Sequence, residues 1–282
     1  MKVLLAGAFG HLGEEILRSL VKNGHDVTAA DMVVRELPGL KEGFKPVKID
    51  MTDKKALEGL CDGMDVVITT VGLTKASATV NAYDIDYGAN KNLLDETLRA
   101  GVKHFVYTSV LKADKAPQVP MLDAKAMMEK EIKKSGITYA IFRPTGYFYD
   151  IAKVFMPMIE KGKVTLLGKG DIHCNVVDCP DFADFIVAHM MDENVCYNVG
   201  GKETYSYTEL ANLFFAAAGK EPKISRAPAW LFDVLAALPK NKKNGKSAII
   251  RFSKWTLTEE MVGDTIVGDH SFAEYIKSCY KK

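Results

Sequence analysis

The chain opens on an apolar run, Val3-Leu4-Leu5-Ala6, that passes directly into Gly7-Ala8-Phe9-Gly10-His11-Leu12-Gly13 and then into a helix-patterned stretch from Glu14 to Lys22. A strand, a glycine turn and a helix in that order leave few folds open, because the turn is tight and the helix must pack closely on the strand. The same geometry suits a diphosphate: backbone N–H groups at a helix N-terminus attract the anion, and residues without side chains let it approach. A second apolar run, His25-Asp26-Val27-Thr28-Ala29-Ala30, ends on Asp31, eighteen residues beyond Gly13. A carboxylate at that point can accept hydrogen bonds from the hydroxyls of an adenosine ribose. The plainer alternative is a glycine turn that only packs strand on helix.

The 282 residues can bury a large core and suit one large domain or two that share an interface. Hydrophobic residues make up 48%, charged residues 26%, and the formal net charge is +1, so nucleic acid is not an expected partner. Five cysteines, Cys61, Cys174, Cys179, Cys196 and Cys279, show no framework spacing and read as reduced thiols of a cytoplasmic protein. His173-Cys174 with Cys179 lacks the second close pair that a tetrahedral site needs, so no metal is expected. The N-terminus carries no signal-peptide pattern, and no apolar stretch reaches the roughly twenty residues that cross a bilayer.

Short β-rich runs alternate with helical ones up to about residue 148, the pattern of βαβ units. Strands are predicted at Lys2 to Ala6, Asp26 to Ala30, Phe44 to Ile49, Val66 to Thr70, His104 to Thr108 and Tyr139 to Arg143. Helices are predicted at Asp53 to Gly59, Tyr87 to Ala100 and Leu122 to Ser135. The expected fold is α/β, a Rossmann-type doubly wound parallel sheet over residues 1–148, with a smaller C-terminal substrate-binding region over 149–282 that packs on it as a cap. In that second half the predicted elements are a strand from Lys163 to Leu167, a helix from Asp181 to Met191, a strand from Cys196 to Val199 and a helix from Ser206 to Ala218. Ser206-Tyr207-Thr208-Glu209 supplies the last helix with a cap and an acidic first turn. The run from Ala229 to Leu238 is nearly all apolar and is followed by Lys240, Lys242, Lys243 and Lys246. It reads as a lid or packing helix, or as a membrane contact through Trp230 to Lys246; its shortness favours the lid.

Taken with later segments, the opening motif resembles the short-chain dehydrogenase/reductase superfamily in its atypical branch of NmrA-like and complex-I-subunit-like members. The likeness is carried by Gly7, Gly10, Gly13 and Asp31, by Asp50-Met51-Thr52, by Asp65 to Gly72, by Val102 to Ser109, by Tyr139 to Phe148 and by Asn175-Val176-Val177-Asp178. It implies that Phe9, Gly10, His11 and Leu12 face the diphosphate, Asp50 and Met51 the adenine, and Thr70, Val71 and Gly72 the ribose next to the nicotinamide. It also implies Pro144 with Thr145 on the carboxamide side and Thr108 at the end of the fifth strand, where Ser109 is a candidate for hydrogen bonding to substrate.

One departure from that family pattern matters. Members that reduce ketones carry a Tyr-x-x-x-Lys pair, whereas this chain reads Met121-Leu122-Asp123-Ala124-Lys125. A thioether has no proton to give, so the usual relay is missing. Three readings stay open. Lys125 does acid/base work itself, as the resemblance to isoflavone-reductase-like members implies; another phenol such as Tyr147 or Tyr87 takes the tyrosine's place; or the site binds dinucleotide without chemistry. Lys125 also reads as a plain ribose contact. Asp31 favours NAD, with NADP possible if Arg35 folds back onto a phosphate. The functional expectation is an NAD(P)-dependent oxidoreductase acting on a small, largely apolar substrate held between the carboxyl edge of the sheet and the C-terminal half; the alternative is a sensing or assembly protein.

Overall fold

The computed structural model describes residues 1–73, 79–243 and 245–281. Two compact units emerge: Met1–Arg143 with Ala183–Tyr197, and Pro144–Phe182 with Asn198–Lys282.

In the first unit the chain runs β1 (Lys2–Ala6), α1 (His11–Lys22), β2 (Asp26–Asp31), β3 (Phe44–Lys48), β4 (Val66–Thr69), a π-helical turn (Tyr83–Ala89), α2 (Asn90–Arg99), β5 (His104–Thr108), α3 (Pro120–Lys134) and β6 (Thr138–Pro144). Within the sheet these strands lie in the order β6-β5-β4-β1-β2-β3, all paired in parallel. The chain reverses direction across the sheet after β3 and starts again beside β1 with β4, which makes the sheet doubly wound. Central strands are buried along their length, as a parallel sheet covered on both faces requires: four residues of β1 and every residue of β4 and β5. At the edge, β3 is half-exposed and tolerates Pro46, whose missing N–H would break a ladder elsewhere. α1 presents Leu12, Ile16, Leu17 and Leu20 to the core. Leu4, Val67, Leu93, Phe105, Met128 and Ile141 meet in one buried cluster.

Two predicted helices differ from what forms. Residues 53–59 make a chain of tight turns, with Ala56 N–H donating to Asp53 O and Glu58 N–H to Lys55 O. The Asp53 carboxylate takes the Lys55 N–H at 3.0 Å, and Gly59 stands at φ +82°, which stops a helix from propagating. The segment predicted to begin at Tyr87 starts at Tyr83, and its first seven residues are π-helical. Gly101 and Gly136 stand in the left-handed region at φ +72° and +78°, just past α2 and α3, where such a conformation ends a helix.

The second unit holds α4 (Phe148–Glu160), β7 (Val164–Leu167), β8 (His173–Cys174) and the first turn of α5 (Cys179–His189). After the chain's return to the first unit, it continues with the end of β9 (Val195–Gly200), then β10 (Tyr205–Ser206), α6 (Tyr207–Ala217), β11 (Ile224–Ala227), α7 (Trp230–Ala237), α8 (Pro239–Lys243), α9 (Lys246–Thr256), β12 (Thr265–Ile266) and α10 (Phe272–Tyr280). Stacked aromatic rings tie α4 to α6 and α10: Phe155 on Phe214 at 5.1 Å and Phe148 on Phe272 at 4.5 Å. Asn175, fully buried, exchanges two hydrogen bonds with the Gly263 backbone, so the Asn175 to Asp178 motif is a structural pin here. The cap and acidic first turn expected for α6 form a full capping box, with Ser206 and Glu209 each satisfying the other's backbone N–H. Among the described residues no helix is long and apolar enough to cross a membrane.

Candidate functional site

The turn between β1 and α1 is shaped by contacts that exclude side chains. Gly7 has φ +80°, and a Cβ on Gly13 would stand 2.0 Å from the Gly7 carbonyl oxygen. Gly7 N–H donates to Ala30 O at 2.9 Å, fastening the turn to the end of β2. Gly10 caps α1 from an extended conformation, without a side-chain bond to the helix end. Phe9 and Leu12 bury their side chains, with Phe9 edge-on to Phe44 at 6.3 Å. What Phe9 and Leu12 offer a ligand is therefore backbone, while Gly10 and His11 are exposed.

Asp31 already has work within the turn. One carboxylate oxygen accepts the Phe9 N–H at 3.0 Å and the other the Val33 N–H at 3.3 Å. A carboxylate has about four acceptor positions, so two stay open to ribose hydroxyls. Arg35, the residue that would have to fold back onto a 2′-phosphate, pairs with Glu14 at 2.5 Å and donates to Phe9 O at 3.4 Å. Burial pushes the Glu14 carboxyl up, but hydrogen bonds from Arg18 and Arg35 outweigh it and hold the group below its ordinary range.

The ends of β4 and β5 converge on a second cluster. Thr70 donates to Gly7 O at 3.1 Å, joining β4's exit to the glycine turn. Val71 and Gly72 are shaped from below by Asn90, whose amide donates to the carbonyls of Val71, Ile85 and Asp86 at 3.0, 3.2 and 3.0 Å while its oxygen accepts from Thr69. Lys125 reaches in from α3. Its ammonium lies 3.2 Å from the Asp86 carboxylate, donates to Thr108 O at 3.3 Å and stands 5.5 Å over the Tyr107 ring. Asp86, in the π-helical turn, is 1% exposed at its side chain, and its other oxygen accepts the Leu73 N–H. A Cβ on Gly72 would meet Asp86 at 3.0 Å and Lys125 at 3.5 Å. The Thr108 hydroxyl is buried and has no hydrogen-bond partner among the described residues.

Gly7, Phe9, Gly10, His11, Leu12, Gly13, Asp31 and Thr70 thus gather around the turn, and Gly72, Thr108 and Lys125 around the ammonium. Asp50 is exposed and accepts from Thr52, whereas the Met51 side chain points into the core. Ser109 is buried with its hydroxyl donated to Glu129 at 2.6 Å, in a network completed by Arg143 and Lys133. Pro144 and Thr145 belong to the second unit, where the Thr145 hydroxyl donates to Asn175 O. Tyr147 lies there too, against Tyr149 and Phe182, and burial drives its phenol well above the ordinary value. Tyr87 packs against the core of the first unit. Sequence reasoning missed Asp86, Asn90 and Tyr83, whose phenol donates to Asp123 two residues before Lys125. Among the described residues no three His, Cys, Asp or Glu side chains gather as a metal site requires.

A doubly wound parallel sheet with a glycine turn at its first crossover defines an α/β protein of Rossmann type. The NmrA-like family matches residues 1–259, and the chain belongs to that family. It is similar to the photosystem II assembly factor Ycf39 of Cyanophora paradoxa, 26% identical over 233 residues that cover 81% of this chain and 72% of that protein. It is also similar to the chloroplastic divinyl chlorophyllide a 8-vinyl-reductase of Arabidopsis thaliana, 27% identical over 261 residues. That match covers 83% of this chain and 61% of the reductase, so the chain spans less than two thirds of that enzyme's length. Among solved structures, the NADPH complex of the quinone oxidoreductase QOR2 from Escherichia coli superposes with a TM-score of 0.76 at 20% identity, covering 99% of this chain and 100% of that one. The NAD complex of UDP-glucose 4-epimerase from Thermus thermophilus gives 0.65 at 21%, covering 81% and 86%. These likenesses show the fold.

Proposed function

We propose that the chain is an NAD(P)-dependent oxidoreductase that binds the dinucleotide over the glycine turn, with NAD(H) preferred, and uses Lys125 beside the reacting atoms. The observation that carries this reading is the Lys125 ammonium, held by a buried carboxylate at the strand ends, in the same unit as a turn whose glycines a Cβ would obstruct. A dinucleotide fits these residues on three counts: the side-chain-free cradle of Gly7, Gly10 and Gly13, an α1 N-terminus with no side-chain cap, and the orphaned Thr108 hydroxyl. Bound there, the nicotinamide would supply or accept a hydride.

The chain's own residues do the rest. Backbone N–H groups at the start of α1 neutralise diphosphate charge, and Asp31 accepts from the adenosine ribose and repels a 2′-phosphate. Asp86 and the Thr108 carbonyl fix the ammonium in place, so that it can anchor a ribose hydroxyl or hand a proton to the substrate. Met121 supplies no proton, which leaves Lys125 as the donor of that pair. The vinyl-reductase relatives act on a vinyl group, as their name states, so activated alkenes belong beside imines and ketones in the substrate search.

A second reading has its own support. Met121 in the tyrosine's place and the relatives named as assembly factors favour a protein that binds dinucleotide and reports its state without turnover. Consumption of NADH is to be followed across enones, imines and ketones with the wild-type chain and Lys125→Ala. Turnover that the substitution reduces by roughly two orders of magnitude or more supports the enzyme. Tight NADH binding with no turnover on any compound overturns it in favour of the sensor.

A further inference from the structure

α7 carries an apolar face that nothing in its own unit covers. Trp230, Leu231, Val234, Leu235 and Leu238 are 61, 38, 49, 37 and 44% exposed. Their spacing, i, i+1, i+4, i+5 and i+8, puts all five on one side of the helix. The other side packs toward α9, where Ala236 is buried and Lys254 pairs with Asp233 at 2.7 Å. A patch of this kind is costly to leave in water.

Its charge surroundings are as uneven as its exposure. Between Trp230 and Thr256 the sequence has six cations, Lys240, Lys242, Lys243, Lys246, Arg251 and Lys254, against the single carboxylate of Asp233, in a chain whose net charge is +1. Asp233 is already claimed by Lys254. Lys240 and Lys242 stand exposed directly after the apolar face; Asn244 lies outside the described residues.

We propose that this face of α7, with the lysines that follow it, seats on an anionic lipid surface. A bilayer interface offers acyl chains to the stripe and phosphates to the lysines at one boundary, and tryptophan favours that depth. A second copy of the chain meets the stripe less well. A two-fold contact would set this surface against an identical one, whose single carboxylate between Trp230 and Thr256 is already claimed by Lys254, so it offers the lysines no anion. A helix that only roofs a substrate would turn its apolar side to a cavity, whereas this stripe is exposed.

The test uses the full chain and vesicles of phosphatidylcholine with or without phosphatidylglycerol. Co-sedimentation is expected with the anionic vesicles, weakening as salt rises. Lys240→Glu with Lys242→Glu should cut partitioning by about fivefold or more per position, and Val234→Glu should abolish it; all three side chains being exposed, neither variant should lower the melting temperature. In a Trp255→Phe background Trp230 is the sole indole, and brominated acyl chains should quench it. The proposal is overturned if anionic vesicles bind no better than neutral ones, or if Val234→Glu sediments like the wild type. Self-association in solution that Val234→Glu removes, with vesicles left unbound, also overturns it and assigns the face to a second copy.

Discussion

Asp86 and Lys125 make the sharpest case for what individual residues decide. A carboxylate 1% exposed at its side chain next to an ammonium 16% exposed is a pair whose desolvation is offset only while both members remain. Lys125→Met therefore strands Asp86 and should destabilise the chain by roughly 3 kcal/mol, whereas adding Asp86→Asn should recover a large part of that loss. Denaturant melts of the two single variants and the double variant decide it, and strict additivity would show that the pair is not coupled. Gly13 is as constrained by shape as Asp86 is by charge. Gly13→Ala forces its methyl onto the Gly7 carbonyl, and the turn must move; dinucleotide affinity should fall by at least tenfold, with a stability loss of about 1–3 kcal/mol readable in the same melts. The glycines were legible because their place after a strand marks them, and Lys125 because the resemblance to a Tyr-x-x-x-Lys family pattern puts it four residues past the position that Met121 occupies. Asp86 was not, since a carboxylate between Ile85 and Tyr87 in a helical run reads as a solvated charge until a π-helical turn rotates it inward.

Elements were legible where periodicity and punctuation agreed. β1, β5 and α6 fall within a residue or so of their predicted bounds, because continuous apolar runs mark buried strands and Ser206 with Glu209 marks a helix start. Residues 53–59 misled because Ala56, Leu57 and Glu58 favour a helix in isolation, while Asp53 spends its carboxylate on the Lys55 N–H and Gly59 donates to the buried Glu96. Side-chain bonds to distant partners are invisible to local pattern. Two expectations belong to helix ends. Ser206→Ala removes one half of the capping box and should cost about 1 kcal/mol in an unfolding titration, with Ser206→Asp costing less. At α1, Glu14 titrates lower folded than unfolded because two guanidiniums hold it ionised. Its contribution is present above the ordinary carboxyl value and is lost as pH falls through the folded one, so the melting temperature of Glu14→Gln should decline less steeply than the wild type on acidification below about pH 5.

At the level of the whole chain, a ligand that binds one unit can be located by what it protects. The glycine turn, Asp31, Asp86 and Lys125 all lie in the unit of Met1–Arg143 and Ala183–Tyr197, so NADH should slow amide exchange there first, at the start of α1 and the ends of β1, β2 and β4. Ligand that binds the native state alone adds about 2.7 kcal/mol at a hundredfold excess over its dissociation constant, enough to move a melting curve by several degrees. NADH should give the larger shift and NADPH the smaller, because the open acceptor positions of Asp31 welcome a hydroxyl and repel a phosphate. Arg35 does not reverse that order while Glu14 holds it. The pairing supplies its own control: Glu14→Gln releases the guanidinium beside the Phe9 carbonyl, and the gap between the two cofactors should narrow in that variant. A larger shift with NADPH in the wild-type chain would show that Arg35 leaves Glu14 for the 2′-phosphate, and that Asp31 serves the turn rather than the ribose.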